Sequence, residues 1–226
     1  LFKDGYCFQS YGWKLLRPLG DLQNALNHLD QYELDEICII RPIRDIDKSY
    51  YSDINYLKEV KSSTPLAFGG GIRNLKDLDL LEGLPVERFI LSSALFYSDL
   101  DLLHRLRSKY GEQSIVGFIP FSFKKQFQVF NSTNNNFQSP DSLNKLSLKL
   151  CDEIVFHDCD AEGRVSGFKE EVCNYLGVRD NKQIYSGGVS EMVRRKSPLI
   201  EIPKSILIEN KILHRENSKK SYYYAM

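Results

Sequence analysis

Asp35-Glu36-Ile37 and Gly70-Gly71-Ile72 decide the fold of this chain, because both motifs return 117 positions later as Asp152-Glu153-Ile154 and Gly187-Gly188-Val189. A unit of this length, present twice, accounts for nearly all of the 226 residues. Repeats of about 20–50 residues are typical of solenoids and propellers. A duplicated unit this long instead indicates two halves of one closed domain.

Short apolar runs alternate with amphipathic stretches along the chain. Strands about five residues long that alternate with helices favour βαβ units and a parallel sheet. Asp21 and Ser139 are the expected N-caps of their helices. The predicted strands are 36–41, 65–69, 88–92, 115–120, 153–157, 183–186 and 205–209, and the predicted helices are 21–32, 51–60, 75–81, 99–110, 139–150, 169–176 and 189–195.

Counting a first strand that is clipped at its start, the pattern contains eight strand–helix units, four in each half. Eight parallel units with an internal repeat predict an α/β fold, a (β/α)8 TIM barrel. We expect one domain over 1–226, with half-barrels at about 1–111 and 112–215, a tail at 216–226 and no last helix. A doubly wound open sheet is the competing architecture, but it does not explain the matched halves. Hairpins are expected after the first strand of each half, at 6–16 and 125–136.

Composition excludes several classes of protein. Thirty basic and thirty acidic residues give no net charge, so nothing favours a nucleic-acid partner or a membrane surface. No apolar stretch approaches the ~20 residues of a membrane span. The five scattered cysteines form no CxxC pair, which is typical of reduced thiols in a cytoplasmic protein. His157-Asp158-Cys159 matches no strong metal template, and we expect neither a metal nor a cofactor.

A glycine turn in the first half has the features of a phosphate site. Gly70 and Gly71 follow a predicted strand and open a helix, and Ser92 and Ser93 follow the next strand. Glycines leave backbone N–H groups bare, and a helix N-terminus adds partial positive charge, so the pattern predicts phosphate binding. The alternative is that these glycines serve only a tight turn.

The second half carries a matching but altered turn. Gly187 and Gly188 occupy the equivalent positions, and Asn210 follows the next strand. Glu209 lies beside Asn210, and its negative charge would repel a phosphate. We therefore expect the second phosphate site to be weaker than the first, or to have another use.

These motifs together resemble a known family. The matching stretches are Phe68-Gly69-Gly70-Gly71-Ile72-Arg73, Ile90-Leu91-Ser92-Ser93-Ala94, Asp160-Ala161-Glu162-Gly163-Arg164-Val165-Ser166-Gly167 and Ser186-Gly187-Gly188-Val189. They are similar to the histidine-biosynthesis family of duplicated half-barrels, and most similar to the cyclase subunit of imidazole glycerol phosphate synthase. The resemblance implies a substrate with phosphates at both ends, a phosphate role for Gly163, and ammonia supplied by a glutaminase subunit docked on the opposite face.

The chain departs from this family at its catalytic acids. The family uses an aspartate at the end of strand one and another at the end of strand five, and these positions fall here on Leu1 and Ile119. Neither side chain can transfer a proton. Asp158 and Asp160, at the end of strand six, are the candidate replacements. Arg41 is the repeat partner of Asp158, and we expect it to carry positive charge at this rim or to pair with Asp158.

The family also guards the bottom of its barrel with charged residues through which ammonia enters. Three of those positions fall on Glu36, Arg88 and Glu153, which keep the order acid, base, acid. Buried charges need partners, so these three would form a structured gate. The alternative is that they are ordinary solvated charges at strand starts.

The lost aspartates set the functional hypotheses. The first is an ammonia-dependent synthase subunit with a glutaminase partner, resembling the branch that converts an acetamido sugar to an acetamidino sugar in surface-polysaccharide biosynthesis. Its substrate would be phosphorylated or nucleotide-linked. The alternatives are a true histidine-pathway cyclase and a non-catalytic barrel that binds a phosphorylated ligand and regulates.

Overall fold

The computed structural model describes residues 1–11, 15–42, 48–97, 99–163, 168–169, 172, 175–179, 182–189 and 205–208. Its contacts divide the chain into two compact units. Unit 1 comprises Leu1–Gln9, Arg17–Gly117 and Leu143–Asp152. Unit 2 comprises Ser10–Leu16, Phe118–Ser142 and the described residues from Glu153 onward.

From Leu15 to Ser122 strands and helices alternate, as the sequence pattern predicts. The strands are β1 (Phe2–Lys3), β2 (Tyr6–Tyr11), β3 (Leu15–Asp21), β4 (Ile37–Ile40), β5 (Leu66–Gly69), β6 (Arg88–Leu91), β7 (Ile115–Ser122), β8 (Gln128–Asn131), β9 (Asn136–Gln138), β10 (Glu153–Asp158), β11 (Gln183–Ser186) and β12 (Ser205–Leu207). The helices are α1 (Leu22–Leu29), α2 (Tyr50–Glu59), α3 (Leu75–Leu80), α4 (Asp101–Tyr110) and α5 (Lys145–Leu150). The predicted helix 189–195 lies almost wholly outside the described residues.

Both units are built on parallel strands. In unit 1, β4, β5, β6 and the start of β7 pair in that order, all parallel. In unit 2, β10, β11 and β12 pair in order and are also parallel. All four residues of β5 are buried, which is typical of a parallel strand covered on both faces. The α/β fold class is confirmed, with the strand–helix plan of a (β/α)8 protein.

The duplication is visible in the hydrogen-bonding register. Ile37 lies opposite Leu66 in unit 1, and Ile154 lies opposite Gln183 in unit 2. Adding 117 to the first two residue numbers gives the second two. The next pairing, β5 with β6 and β11 with β12, matches at the same offset. The two halves therefore share their strand register as well as their motifs.

Hairpins occur in both predicted insertions. In the first, the strand order is β1-β2-β3, although residues 12–14 of its turn lie outside the described residues. In the second, β8 pairs antiparallel with β9, and Phe130 lies opposite Phe137. The rings of this pair are 5.2 Å apart in an edge-on arrangement, which stabilises the hairpin.

One predicted cap is confirmed and the other is wrong. The Asp21 side chain accepts from the backbone N–H of Asn24 and caps α1. Ser139 does not cap α5. Its hydroxyl accepts from the N–H of Asp141, which lies in a short 3-10 turn before α5. Asn144 is the true N-cap of α5, because its side chain accepts from two amides of the first turn.

Candidate functional site

The first glycine turn packs directly against the end of β4. Gly70 has φ +141°, and a Cβ on it would lie 2.1 Å from the carbonyl oxygen of Arg41. Real Cβ atoms do not approach oxygen so closely. Gly71 also has a positive φ, of 72°. The glycine at 70 is therefore required by packing alone, whatever else the turn binds.

The start of α3 contributes less to an anion site than its sequence predicts. Asp77 accepts from the N–H groups of Arg73 and Asn74 at 2.7 and 2.8 Å. The Asn74 side chain in turn accepts from the N–H of Lys76. Because this capping box occupies these amides, a phosphate at this turn would depend on the glycine amides and on Ser92 or Ser93.

Ser92 has a hydroxyl suited to a ligand. The register of β5 and β6 places Gly69 opposite Ile90, so the glycine turn and Ser92 leave the same edge of the sheet. The Ser92 hydroxyl oxygen is buried and has no hydrogen-bond partner among the described residues. A buried polar group without a partner is costly, and a bound anion would satisfy it. Ser93 is also buried, at the start of a 3-10 turn.

Arg41 does not pair with Asp158; its partner is Asp53 of α2. Arg41 is fully buried, and its guanidinium donates to Asp53 Oδ2 through Nε at 2.9 Å and Nη2 at 2.7 Å. Asp53 also accepts from the N–H groups of Asp4 and Gly5. Asp53 therefore ties both the β1–β2 turn and Arg41 to α2, and the Arg41 guanidinium is buried.

The second glycine turn repeats the packing of the first. Gly187 has φ +81°, and a Cβ on it would lie 2.4 Å from the carbonyl oxygen of Asp158. Asp158 stands 117 positions after Arg41, as Gly187 stands after Gly70. Gly188 and Gly163 also have positive φ values. Asn210 and Glu209, the other predicted members of this cradle, lie outside the described residues.

Asp158 is a buried acid that organises its own loop. Its Oδ1 accepts from the N–H groups of Asp160 and Ala161 at 2.9 and 3.0 Å, whereas Oδ2 has no hydrogen-bond partner among the described residues. Burial raises the pKa of Asp158, and these amides oppose the shift only in part. The side chain is fully buried.

Asp160 anchors the loop that follows β7. Its Oδ2 accepts from the Ser122 hydroxyl at 2.8 Å and from the Phe123 N–H at 2.9 Å. Lys124 lies 3.6 Å from Oδ1. Burial acts to raise the pKa of Asp160, but the Phe123 and Ser122 hydrogen bonds and the Lys124 charge outweigh it and lower that pKa. These partners stabilise an ionised structural carboxylate. The catalytic roles predicted for Asp158 and Asp160 remain predictions.

Asp158→Asn is expected to gain stability relative to the wild type as pH rises above the ordinary aspartate value of 3.8. A pKa raised by folding means that ionisation of Asp158 disfavours the folded state. The amide keeps the Oδ1 acceptor and removes that charge. Urea unfolding of both proteins at acidic and at alkaline pH measures the difference. The same substitution at exposed Asp79 is the control, and an equal pH trend at both positions would contradict the assignment.

A buried histidine that sequence reasoning did not select lies at the same strand end. His157 Nδ1 is 2.9 Å from the Ser186 hydroxyl, and both residues are buried. The imidazole stacks on Phe118 of β7, with ring centroids 5.5 Å apart. Alternation along β10 placed His157 and Asp158 on opposite faces. The signal that could have identified this pair is the repeat itself, because Ile40 and Gly69 occupy the equivalent positions in the first half.

Two of the predicted gate residues form an ion pair. Arg88 Nη1 lies 3.5 Å from Glu36 Oε2, and each side chain is 19% exposed. The Cys38 thiol lies 3.8 Å from the same Glu36 oxygen. The two charged atoms lie far apart for an ion pair, and both side chains are mostly buried. Glu153 begins β10 in unit 2, so the gate of three residues remains a prediction.

Two sets of parallel strands with the same register, each containing one strand that ends in a glycine turn, define a protein of the duplicated (β/α)8 class. The chain belongs to the histidine biosynthesis protein family, whose model matches residues 11–216. The family resemblance predicted from the motifs is thereby confirmed. Across the residues that the structure describes, every helix is too short or too polar to cross a membrane.

Similar proteins are named after imidazole glycerol phosphate synthase. A Campylobacter jejuni protein, provisionally named subunit hisF2 of that enzyme, is 27% identical over 84% of this chain and 78% of its own length. A Pseudomonas aeruginosa protein with the same provisional name is 30% identical over 74% of this chain and 69% of its own. The HisF subunit of Dictyoglomus turgidum is 23% identical over 78% and 73%.

Proposed function

We propose that this chain is a divergent cyclase-type subunit that uses ammonia from a glutaminase partner to modify a phosphate-bearing or nucleotide-linked sugar in surface-polysaccharide biosynthesis. The reaction would replace the oxygen of an acetamido group by nitrogen. Family membership supports the cyclase-type role, and the relatives' names describe them as subunits of an assembly.

The divergence is supported by the residues at the two positions where the resemblance expects the family's acids. Ile119 is 1% exposed within β7, and a buried isoleucine packs rather than titrates. Leu1 stands at the other position, and its carbonyl oxygen accepts from the Phe8 N–H. General acid–base catalysis needs a side chain that exchanges protons, so the histidine-pathway ring closure has lost its usual groups.

The phosphate sites favour a substrate with one main anionic contact. The Ser92 hydroxyl is buried without a partner, and the Gly70–Gly71 turn lies at the same sheet edge. A nucleotide-linked sugar needs phosphate contacts but does not require two symmetric ones. The altered second turn, with Glu209 in its sequence, fits such a substrate better than one with a phosphate at each end.

The test is nitrogen transfer without the partner subunit. The purified protein is incubated with ¹⁵N-labelled ammonium and a nucleotide-linked acetamido sugar, and the product is analysed by mass spectrometry. We expect label in an acetamidino group, and none when ammonium or protein is omitted. Absence of label at saturating ammonium would contradict the proposal.

A non-catalytic regulator is the second candidate, and the missing acids favour it equally. It predicts binding of the phosphorylated ligand with no incorporation of label under any condition. The genomic setting separates the two as well, because a synthase subunit should be encoded beside a glutaminase and sugar-modifying enzymes.

A further inference from the structure

We propose that His157, oriented by Ser186, is the catalytic proton-transfer residue of this site. The inference rests on the ammonia-dependent function proposed above. Three strands of unit 2 build the pair: Phe118 on β7 stacks on the imidazole, and Ser186 on β11 lies 2.9 Å from Nδ1. The register sets His157 directly opposite Ser186, so their side chains share a face.

The fold does not require a polar pair at these positions. In the first half the same register places Ile40 opposite Gly69. A Cβ on Gly69 would lie 3.2 Å from Ile40 Cδ1, so the isoleucine fills that space. The two halves thus make the same strand pairing with an apolar contact in one and an imidazole–hydroxyl pair in the other. Because the first half folds with an apolar pair at these positions, the buried polar pair in the second half is not needed for folding, and this indicates a chemical role.

The imidazole lies on the same face of β10 as the predicted gate residue Glu153. Glu153, Val155 and His157 alternate onto one face of β10. At about 3.3 Å per residue, His157 lies about 13 Å along the strand from the predicted gate residue Glu153. Ammonia is small enough to reach a buried ring, and burial shields the ring from competing water.

Other titratable groups near this strand end are less suited to the role. Asp158 lies on the opposite face of β10, and both Asp158 and Asp160 hold loop amides. Burial raises the pKa of the Cys159 thiol well above the ordinary value, so the thiol stays protonated. Imidazole is the side chain that exchanges protons near neutral pH.

The tautomer of His157 determines which ring nitrogen accepts the proton. When Nδ1–H donates to the Ser186 hydroxyl, Nε2 is the proton acceptor. As the ammonia nitrogen bonds to the acetamido carbon, the carbonyl π electrons move to oxygen, and one N–H proton passes to Nε2. The imidazolium then returns that proton to the oxygen, the C–O bond breaks as a nitrogen lone pair forms the C=N bond, and the oxygen leaves as hydroxide. Hydroxide and the amidinium exchange a proton to give water and the amidine.

His157→Asn tests this assignment, because the shorter amide can still bond to Ser186 but cannot carry the proton. We expect label incorporation from ammonium to fall by about 100-fold or more, with thermal unfolding little changed. The control is His104→Asn on the exposed face of α4. Wild-type rates in His157→Asn would overturn the inference and leave the proposed function intact. An inactive wild type would overturn both.

Ser186→Ala provides a second measurement if His157→Asn fails to fold. Loss of the hydroxyl changes the environment of Nδ1, so we expect the midpoint of the pH–rate profile to move. A merely structural serine would lower the rate at all pH values without moving the midpoint. An unmoved midpoint in Ser186→Ala would overturn the inference.

Discussion

Asp53→Asn is expected to cost about 3–5 kcal/mol of unfolding free energy, because it removes the carboxylate that pairs with the buried Arg41 guanidinium. Arg41 and Asp53 are 0% and 2% exposed. The amide keeps only one acceptor oxygen, so its NH2 group faces either Arg41 and the Asp4 N–H or the Gly5 N–H, all of which are donors themselves. Urea unfolding measures the loss.

Glu112→Gln is the matched control for this prediction. Its carboxylate pairs with Arg107 at 2.8 Å, but it is 85% exposed. Exposed pairs are worth about 0–1 kcal/mol, so the control should unfold almost as the wild type does. A loss at Asp53 no larger than that at Glu112 would show that Arg41 reaches solvent.

Gly187→Ala is expected to destabilise the protein by about 1–3 kcal/mol more than Gly83→Ala, through steric overlap. The two glycines have the same φ of +81°, so the left-handed backbone costs an alanine the same at both. A Cβ at Gly83 meets nothing within 4 Å, whereas at Gly187 it meets the carbonyl oxygen of Asp158 at 2.4 Å. The comparison therefore isolates the packing against β10.

Gly70→Ala should behave like Gly187→Ala, because the repeat places the Arg41 carbonyl oxygen 2.1 Å from its Cβ position. Gly20→Ala, with φ +124° and open space, is the corresponding control. Differential scanning calorimetry of the four variants measures the effect. Equal losses at packed and open glycines would mean that the turns do not rest on the preceding strands.

The duplicated motifs predict much of the fold. A single offset of 117 positions relates the motifs, the strand registers and the two glycine contacts. Such agreement arises because a parallel pairing is determined by where each strand begins and ends. Once the motifs align, the register follows.

The partners of buried charges are not predicted in this way. Arg41 was expected at the rim or against Asp158, yet it binds Asp53, which lies 12 residues further along the chain. Asp160 was selected as a candidate acid, yet it binds the Ser122 hydroxyl and the Phe123 amide. Alternation gives the face of a side chain, but the loop amides that reach it depend on the path of the loop.

Part of the candidate site could be predicted from the sequence and part could not. The glycine turns were predicted because a backbone with positive φ in close contact with a strand requires glycine, which is recognisable in the sequence. The His157–Ser186 pair was not, because a histidine at a strand end has no unique pattern. It becomes visible only when the register places it against Ser186 and when Ile40 and Gly69 are compared at the equivalent positions.

Turnover of the histidine-pathway cyclase substrate with saturating ammonium most directly tests whether this chain has diverged from its family's chemistry. The resemblance predicts that the acid pair of the family's ring closure falls here on Leu1 and Ile119, and neither side chain can transfer a proton. We therefore expect no turnover above the uncatalysed rate, while the nucleotide-linked acetamido sugar is modified in the same preparation. Turnover of the histidine-pathway substrate at ordinary cyclase rates would contradict the divergence.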